Sequence, residues 1–149
     1  MNPFFFRDII ASFGKRHFLN NSVRLIKFYL QPELWSKELN AGNLESLLHC
    51  YAEDATLFST FQAQPIKTPE GIRDYFSGFL AREGAGVCLN STSIAYQTFS
   101  DNLYISTGLY EFFYRENGEE IRHPARFTYV VKVESAHKIK HHHSSLVPA

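Results

Sequence analysis

Four strand-like segments follow one another from Gly84 to the end of the chain, and they constrain the fold more than any other feature. They are rich in aromatic and β-branched residues, and short turns at 100–102, 116–118 and 134–135 separate them. The segments read VCLNSTSIAYQTF, NLYISTGLYEFFYR, RHPARFTYVVKV and HKIKHHHSS. Since consecutive strands joined by short turns pair as hairpins, this half of the chain is predicted to form an antiparallel meander.

Three helices are predicted before the meander, each with its own start or stop signal. Pro32 starts the first and Gly42 ends it, Asn43 caps the second, and Thr68 with Pro69 opens the third. The apolar face of the second helix is predicted to be Leu44, Leu47, Leu48 and Tyr51. A short strand in EDATLFSTF separates the second helix from the third. Helices followed by hairpin-linked strands indicate an α+β fold in which helices cover one face of the sheet.

Charge and cysteine content exclude several classes of function. The chain has 149 residues, with 15 Lys and Arg against 15 Asp and Glu, so no net field favours nucleic acid or a membrane surface. A net charge of zero instead favours self-association. Cys50 and Cys88 lie far apart without metal-type spacing, so neither a metal nor another cofactor is expected. The two thiols fit a reducing compartment, and a cytoplasmic location is expected.

Residues 1–30 are predicted to be an N-terminal extension, and residues 31–149 a single domain. Charged residues interrupt the apolar clusters of the extension before any of them reaches membrane-spanning length, and it shows no cleavage site of a signal peptide. It is predicted to be either a poorly ordered tail or an amphipathic helix that seeks a partner.

The closing stretch KIKHHHSSLVPA resembles a purification tag, but it also continues the last strand. Strict alternation places His141 and His143 on one face of that strand and His142 on the other. A third ligand does not converge with the pair, which argues against a metal site.

Residues from about 32 to 148 resemble the association domain of calcium/calmodulin-dependent protein kinase II and its stand-alone bacterial relatives. These belong to the nuclear transport factor two-like superfamily. The matching stretches are LWSKELNAGNLESLLHCYAEDATLFST, KTPEGIRDYFSGFL, GLYEF and ARFTYVVKVESAHKIKHHHSSLVP. His137 stands where the family usually carries Trp, and the turn before it is altered. The chain lacks the Gly-rich loop, HRD and DFG motifs, so it is not a kinase.

The resemblance implies a cone-shaped fold, in which a curved antiparallel sheet wraps against three helices, encloses a pocket and pairs subunits through its outer face. Arg126 matches an arginine that the family places in its pocket, where a guanidinium would suit a small carboxylate. A structural salt bridge is the alternative for Arg126. Arg126 is expected to point into the same interior as His141 and His143, which could bind a ligand or bond within the sheet.

Aromatic residues that could line the mouth of the pocket are Trp35, Tyr51 and Tyr110, although such residues are also typical of a core. Two functions remain open. The first is a homo-oligomerising module, a homodimer or larger ring, with an internal site for a small carboxylate. The second is a small enzyme of the ketosteroid isomerase or polyketide cyclase (SnoaL-like) type, with Asp54 and Tyr51 as catalytic candidates. Since a fold does not establish a function, the sequence favours the binding module over the enzyme.

Overall fold

The structure is a computed structural model that describes residues 31–149. Its three helices are α1 (Gln31–Asn40), α2 (Leu44–His49) and α3 (Pro69–Leu80). The capping predictions are confirmed, since Asn43 accepts a hydrogen bond from the amide of Ser46 at 3.3 Å. Thr68 likewise accepts one from the amide of Gly71 at 3.1 Å. The expected extension, residues 1–30, lies outside the described residues.

A five-stranded sheet follows the order β1-β5-β4-β3-β2 and is not closed into a barrel. Its strands are β1 (Tyr51–Phe58), β2 (Gly86–Ser100), β3 (Leu103–Glu116), β4 (Glu119–Val133) and β5 (His137–Leu146). Strands β2 to β5 form the predicted antiparallel meander. The α+β fold is therefore confirmed.

The sheet as a whole is mixed and not antiparallel throughout, because β1 runs parallel to β5. Helix α3 and the rest of the sheet separate these two strands in sequence, so no hairpin imposes an antiparallel direction on them. Tyr51 begins β1 and does not belong to the apolar face of α2, which ends at His49. The C-cap of α2 is Cys50, and its carbonyl accepts a hydrogen bond from the amide of Ile139 at 2.7 Å.

The hairpin between β3 and β4 turns at Asn117 and Gly118, both with positive φ, at 53° and 82°. Two consecutive left-handed residues match the type I′ turn, whose twist suits adjoining strands. The turn holds Glu116 opposite Glu119 and so sets the register of the longest pairing in the sheet.

The core lies between the helices and the inner face of the sheet. Trp35 and Leu39 from α1 and Ile72 and Phe76 from α3 are almost completely buried there. The sheet contributes the buried residues Tyr104, Ser106, Tyr110, Phe112, Ala125, Phe127, Tyr129, Val131, Ile139, His142 and Ser144. Aromatic side chains fill much of the interior that the cone encloses.

Strand β5 carries a β-bulge at Lys140. Val130 on β4 pairs with His141, while Val131 pairs with Ile139, so two steps along β5 match one step along β4. An extra residue in one strand reverses which side chains face the core beyond that point. Ile139 is therefore buried before the bulge and His142 after it.

Candidate functional site

A chain of hydrogen-bonded side chains lies inside the cone and is centred on His142. Nε1 of Trp35 donates to the hydroxyl of Tyr51 at 2.9 Å, and that hydroxyl lies 2.8 Å from Nδ1 of His142. On the other side of the ring, Nε2 lies 3.0 Å from the hydroxyl of Tyr110. All four side chains are buried. The site therefore joins α1, β1, β3 and β5.

The network of hydrogen bonds continues from Tyr110 to the end of β5. The Tyr110 hydroxyl donates to Oγ of Ser144 at 2.6 Å, and Ser144 also bonds to Thr60, which follows β1. Because a tyrosine has one hydroxyl proton, Tyr110 must accept its other bond from Nε2–H of His142. Nδ1 is then unprotonated and accepts a hydrogen bond from the hydroxyl of Tyr51. The hydrogen bonds thus run in one direction, from Trp35 to Ser144.

Burial keeps this network uncharged. Loss of solvent, with further contributions from the neighbouring His141 and His143, lowers the pKa of His142 to about 3. Burial also raises the pKa of Tyr51 and of Tyr110 above the usual value for tyrosine. At neutral pH the group at the centre of the cone is a neutral imidazole between two neutral phenols.

The structure brings Trp35, Tyr51 and Tyr110 together, as three of the residues proposed for the pocket, but around a histidine that the sequence assigned to the opposite face. His142 was missed because an alternating pattern shows no sign of the bulge at Lys140. Ser144 and Thr60 were also missed, and no sequence signal distinguishes them from other hydroxyl residues.

The predicted interior position of Arg126, His141 and His143 is wrong. Arg126 does share a face with both histidines, as predicted, but that face is the outer one, where Arg126 and His143 are exposed. Nε of Arg126 donates to Oγ of Ser145 at 3.0 Å. In residues 31–149 no lysine or arginine is buried, so the described interior has no cation for a carboxylate.

Asp54 lies outside the cone and does not match its predicted role as a catalytic base. Its carboxylate is exposed and forms an ion pair with the ammonium group of Lys140, the bulged residue of β5. The hydrogen bond from Lys140 holds the pKa of Asp54 below its ordinary value. Asp54 is therefore an ionised surface carboxylate.

A cleft of about 230 Å³ opens at the surface where α2, β1 and α3 meet. Tyr51 forms part of its wall, together with Glu53, Glu70 and Arg73. Arg73 is already paired with Glu45 in a two-pronged ion pair. The cleft thus reaches the buried network at Tyr51, but the other ionisable groups of its wall are the carboxylates of Glu53 and Glu70.

The outer face of the sheet carries a continuous uncharged surface, the outer-face patch. Paired positions on four neighbouring strands place its residues side by side. They are Phe58, Ile105, Thr107, Thr128, Val130, His141 and His143. Every one of them is at least partly exposed.

Charged residues border the outer-face patch along β4. Lys132, which pairs with Glu134, follows Val130 on the outer face, and Arg126 precedes Thr128 there. An uncharged centre with a polar rim is the usual composition of a protein–protein interface.

Among residues 31–149, none of the helices has the length and apolar character that a membrane span requires.

Comparison with known proteins gives matches among solved structures. No protein-family model matches the chain, and no curated protein matches it. One similar structure is named as a calcium/calmodulin-dependent protein kinase II association domain from Xanthomonas campestris. It is 26% identical, its TM-score is 0.72, and the match covers 81% of this chain and 86% of that one.

Two further structures come from Novosphingobium aromaticivorans, each with a TM-score of 0.73. The first is named as a nuclear transport factor two-like protein with a cystatin-like fold; it is 12% identical over 91% of this chain and 92% of that one. The second is named as a scytalone dehydratase; it is 15% identical over 86% of this chain and 87% of that one. At such identities the likeness concerns the fold. The chain therefore has the cystatin-like fold of the nuclear transport factor two-like family, which it shares with the association-domain protein.

Proposed function

We propose that this protein is an association module, which forms a homodimer or a larger ring through the outer-face patch. The observation that carries the proposal is the patch itself. Phe58, Val130 and Ile105 expose apolar surface there, and none of the patch residues is charged. Burying such a surface against a second copy removes apolar area from water without separating any ion pair.

The interior of the cone supports this assignment indirectly. Aromatic side chains and the neutral network of His142 occupy it, and no lysine or arginine of residues 31–149 is buried there to hold an anionic ligand. An outward-facing function needs none. The likeness to the association-domain protein, at 26% identity, also favours assembly. The chain has no net charge, so two copies do not repel each other as whole molecules.

A charge at the centre of the patch tests the proposal. Val130 lies between Ile105 and His141 on neighbouring strands, so Val130→Glu would bury a carboxylate in the proposed interface. We expect the wild type to sediment as a dimer or ring at micromolar concentration and Val130→Glu as a folded monomer. Ser77→Glu, at an exposed position of α3, is the matched control and should assemble like the wild type. A monomeric wild type, or assembly unchanged in Val130→Glu, would refute the proposal.

One observation supports the alternative function, a small isomerase or cyclase. A neutral histidine between two phenols can move a proton, and the dehydratase-named structure has the same fold. His142 would then have to replace Asp54 as the base. Purified protein that converts no ketosteroid or polyketide-type substrate, or converts it equally well as His142→Gln, would rule this alternative out.

A further inference from the structure

We propose that the assembly is controlled by pH, because protonation of His141 and His143 separates the copies that meet at the outer-face patch. This inference rests on the proposed association through that face. Its basis is the position of the two imidazoles at the centre of the patch, on the same side of β5 and beside one exposed aromatic ring.

Phe58 connects the two histidines. The ring of His143 stacks on it with centroids 5.6 Å apart and an interplanar angle of 14°, and the ring of His141 contacts it at 5.8 Å. A partner that covers Phe58 must therefore cover both imidazoles as well. Charged imidazoles would have to lose their water shell in the interface, which is costly when no counter-ion is present.

The charged groups around the pair do not supply such counter-ions. On the strands and the segment packed against β5 they are Arg126 and Lys132 on β4, Glu53 and Asp54 on β1, Lys67 beside β1, Lys138 and Lys140 on β5 itself, and Glu134 after β4. Asp54 is already paired with Lys140, and Glu134 with Lys132. The basic groups outnumber the acidic ones, so additional positive charge on the histidines would be opposed.

The direction of the effect follows from linkage. Association favours neutral imidazoles, so the assembly is stable where the imidazoles of the separate chains are neutral and weakens as the pH falls through the range in which they take up protons. Burial and the neighbouring His143 already lower the pKa of His141 in the single chain. For each proton that must be lost on association, the dissociation constant rises by up to about tenfold per pH unit below that range. With two histidines on every copy, a fall from pH 7.5 to 5.5 is expected to raise the dissociation constant by at least about tenfold.

The buried His142 must be separated from this effect, because its protonation acts on folding. His142 is present in the wild type and in the variants of the outer histidines, but both neighbours act on its pKa, so folding must be followed separately from assembly. Far-UV circular dichroism at each pH checks that the separated chains remain folded.

The experiment compares the full chain with His141→Gln/His143→Gln by sedimentation equilibrium from pH 5.0 to 8.0. Gln keeps hydrogen-bonding capacity but cannot become charged. The wild type is expected to assemble at pH 7.5 and to dissociate toward pH 5.5, while the double variant stays assembled throughout. His49→Gln, on the exposed end of α2, is the matched control and should behave like the wild type.

The outcomes distinguish the inference from the proposed function. A wild type that is assembled at both pH values, or a double variant that dissociates like the wild type, would overturn pH control and leave the association intact. A wild type that is monomeric at both values would overturn both. The single variant His143→Gln, at an exposed position, covers the case of a double variant that does not fold. It should halve the steepness of the pH dependence, and unchanged steepness would contradict the inference.

Discussion

Nδ1 of His142 accepts a hydrogen bond from the hydroxyl of Tyr51 at 2.8 Å, and both side chains are buried in the cone. This bond links the first strand of the sheet to the last, and β1 and β5 lie side by side in parallel. The contact therefore ties together two segments that are 91 residues apart in sequence. The hydrogen bond between Tyr51 and His142 therefore helps to hold the sheet together.

We expect replacement of His142 by Ala to destabilise the fold by about 2–4 kcal/mol. The substitution removes a buried ring and leaves the hydroxyls of Tyr51 and Tyr110 without their shared partner. Urea unfolding at fixed protein concentration measures the change in the free energy of unfolding. His49→Ala, at the exposed end of α2 and outside the outer-face patch, is the control and should change it by less than about 0.5 kcal/mol. Equal effects of the two substitutions would show that the network contributes nothing.

The stability of the fold should also fall with pH through His142. Its folded pKa of about 3 is depressed below the unfolded value of about 6.5, so the unfolded chain takes up the proton first. Protonation of His142 therefore does not affect the free energy of unfolding above about pH 6.5, and it lowers this free energy by about 1.4 kcal/mol per pH unit below that value. Urea unfolding of the wild type and of His142→Gln between pH 5 and 8 tests this. The Gln variant should lack this component, and parallel curves for the two proteins would contradict the assignment.

Asn40 is expected to stabilise the free edge of the sheet. Its side-chain amide accepts from the amide of Val87 at 2.7 Å and donates to the carbonyl of Val87 at 2.9 Å, so it pairs with β2 as a neighbouring strand would. Asn40→Ala leaves both backbone groups without a partner and should cost about 1–3 kcal/mol. Asn90→Ala is the comparison, since that side chain accepts a hydrogen bond from the exposed Thr92 hydroxyl. Thermal unfolding should show a lower midpoint for Asn40→Ala, and similar midpoints for the two variants would argue against the edge contact.

Gly108 makes room for the ring of Phe127 on the neighbouring strand. A Cβ atom at Gly108 would lie 2.8 Å from that ring, which is too close for an unstrained contact. Gly108→Ala is expected to destabilise the fold by about 1–3 kcal/mol. Gly108→Ala should cost much less in a chain that also carries Phe127→Leu, because the smaller leucine side chain leaves room for the added methyl group. A double-mutant cycle measured by urea unfolding checks this, and additive effects would show that the two positions do not compete.

The sequence by itself determined the elements that local interactions specify. The caps at Asn43 and Thr68 satisfy helix amides within three residues, and the Asn117–Gly118 turn adopts backbone angles that glycine and asparagine tolerate. Such contacts need no distant partner. The likeness of the closing strands to an association domain could also be recognised from the sequence, and the solved structures confirm the fold.

Only the tertiary structure decided which face each side chain of β5 occupies. The extra residue at Lys140 is accommodated between β4 and the irregular part of β1, where Asp54 pairs with it. Alternation along the strand is a local rule, but a bulge arises from the fit between neighbouring strands, so the sequence pattern does not reveal it. That single residue places His142 in the core and leaves His141 and His143 outside, since a shift of one position exchanges the two faces of a strand. Arg126 lies outside for a different reason, because uninterrupted alternation along β4 turns Ala125 and Phe127 inward.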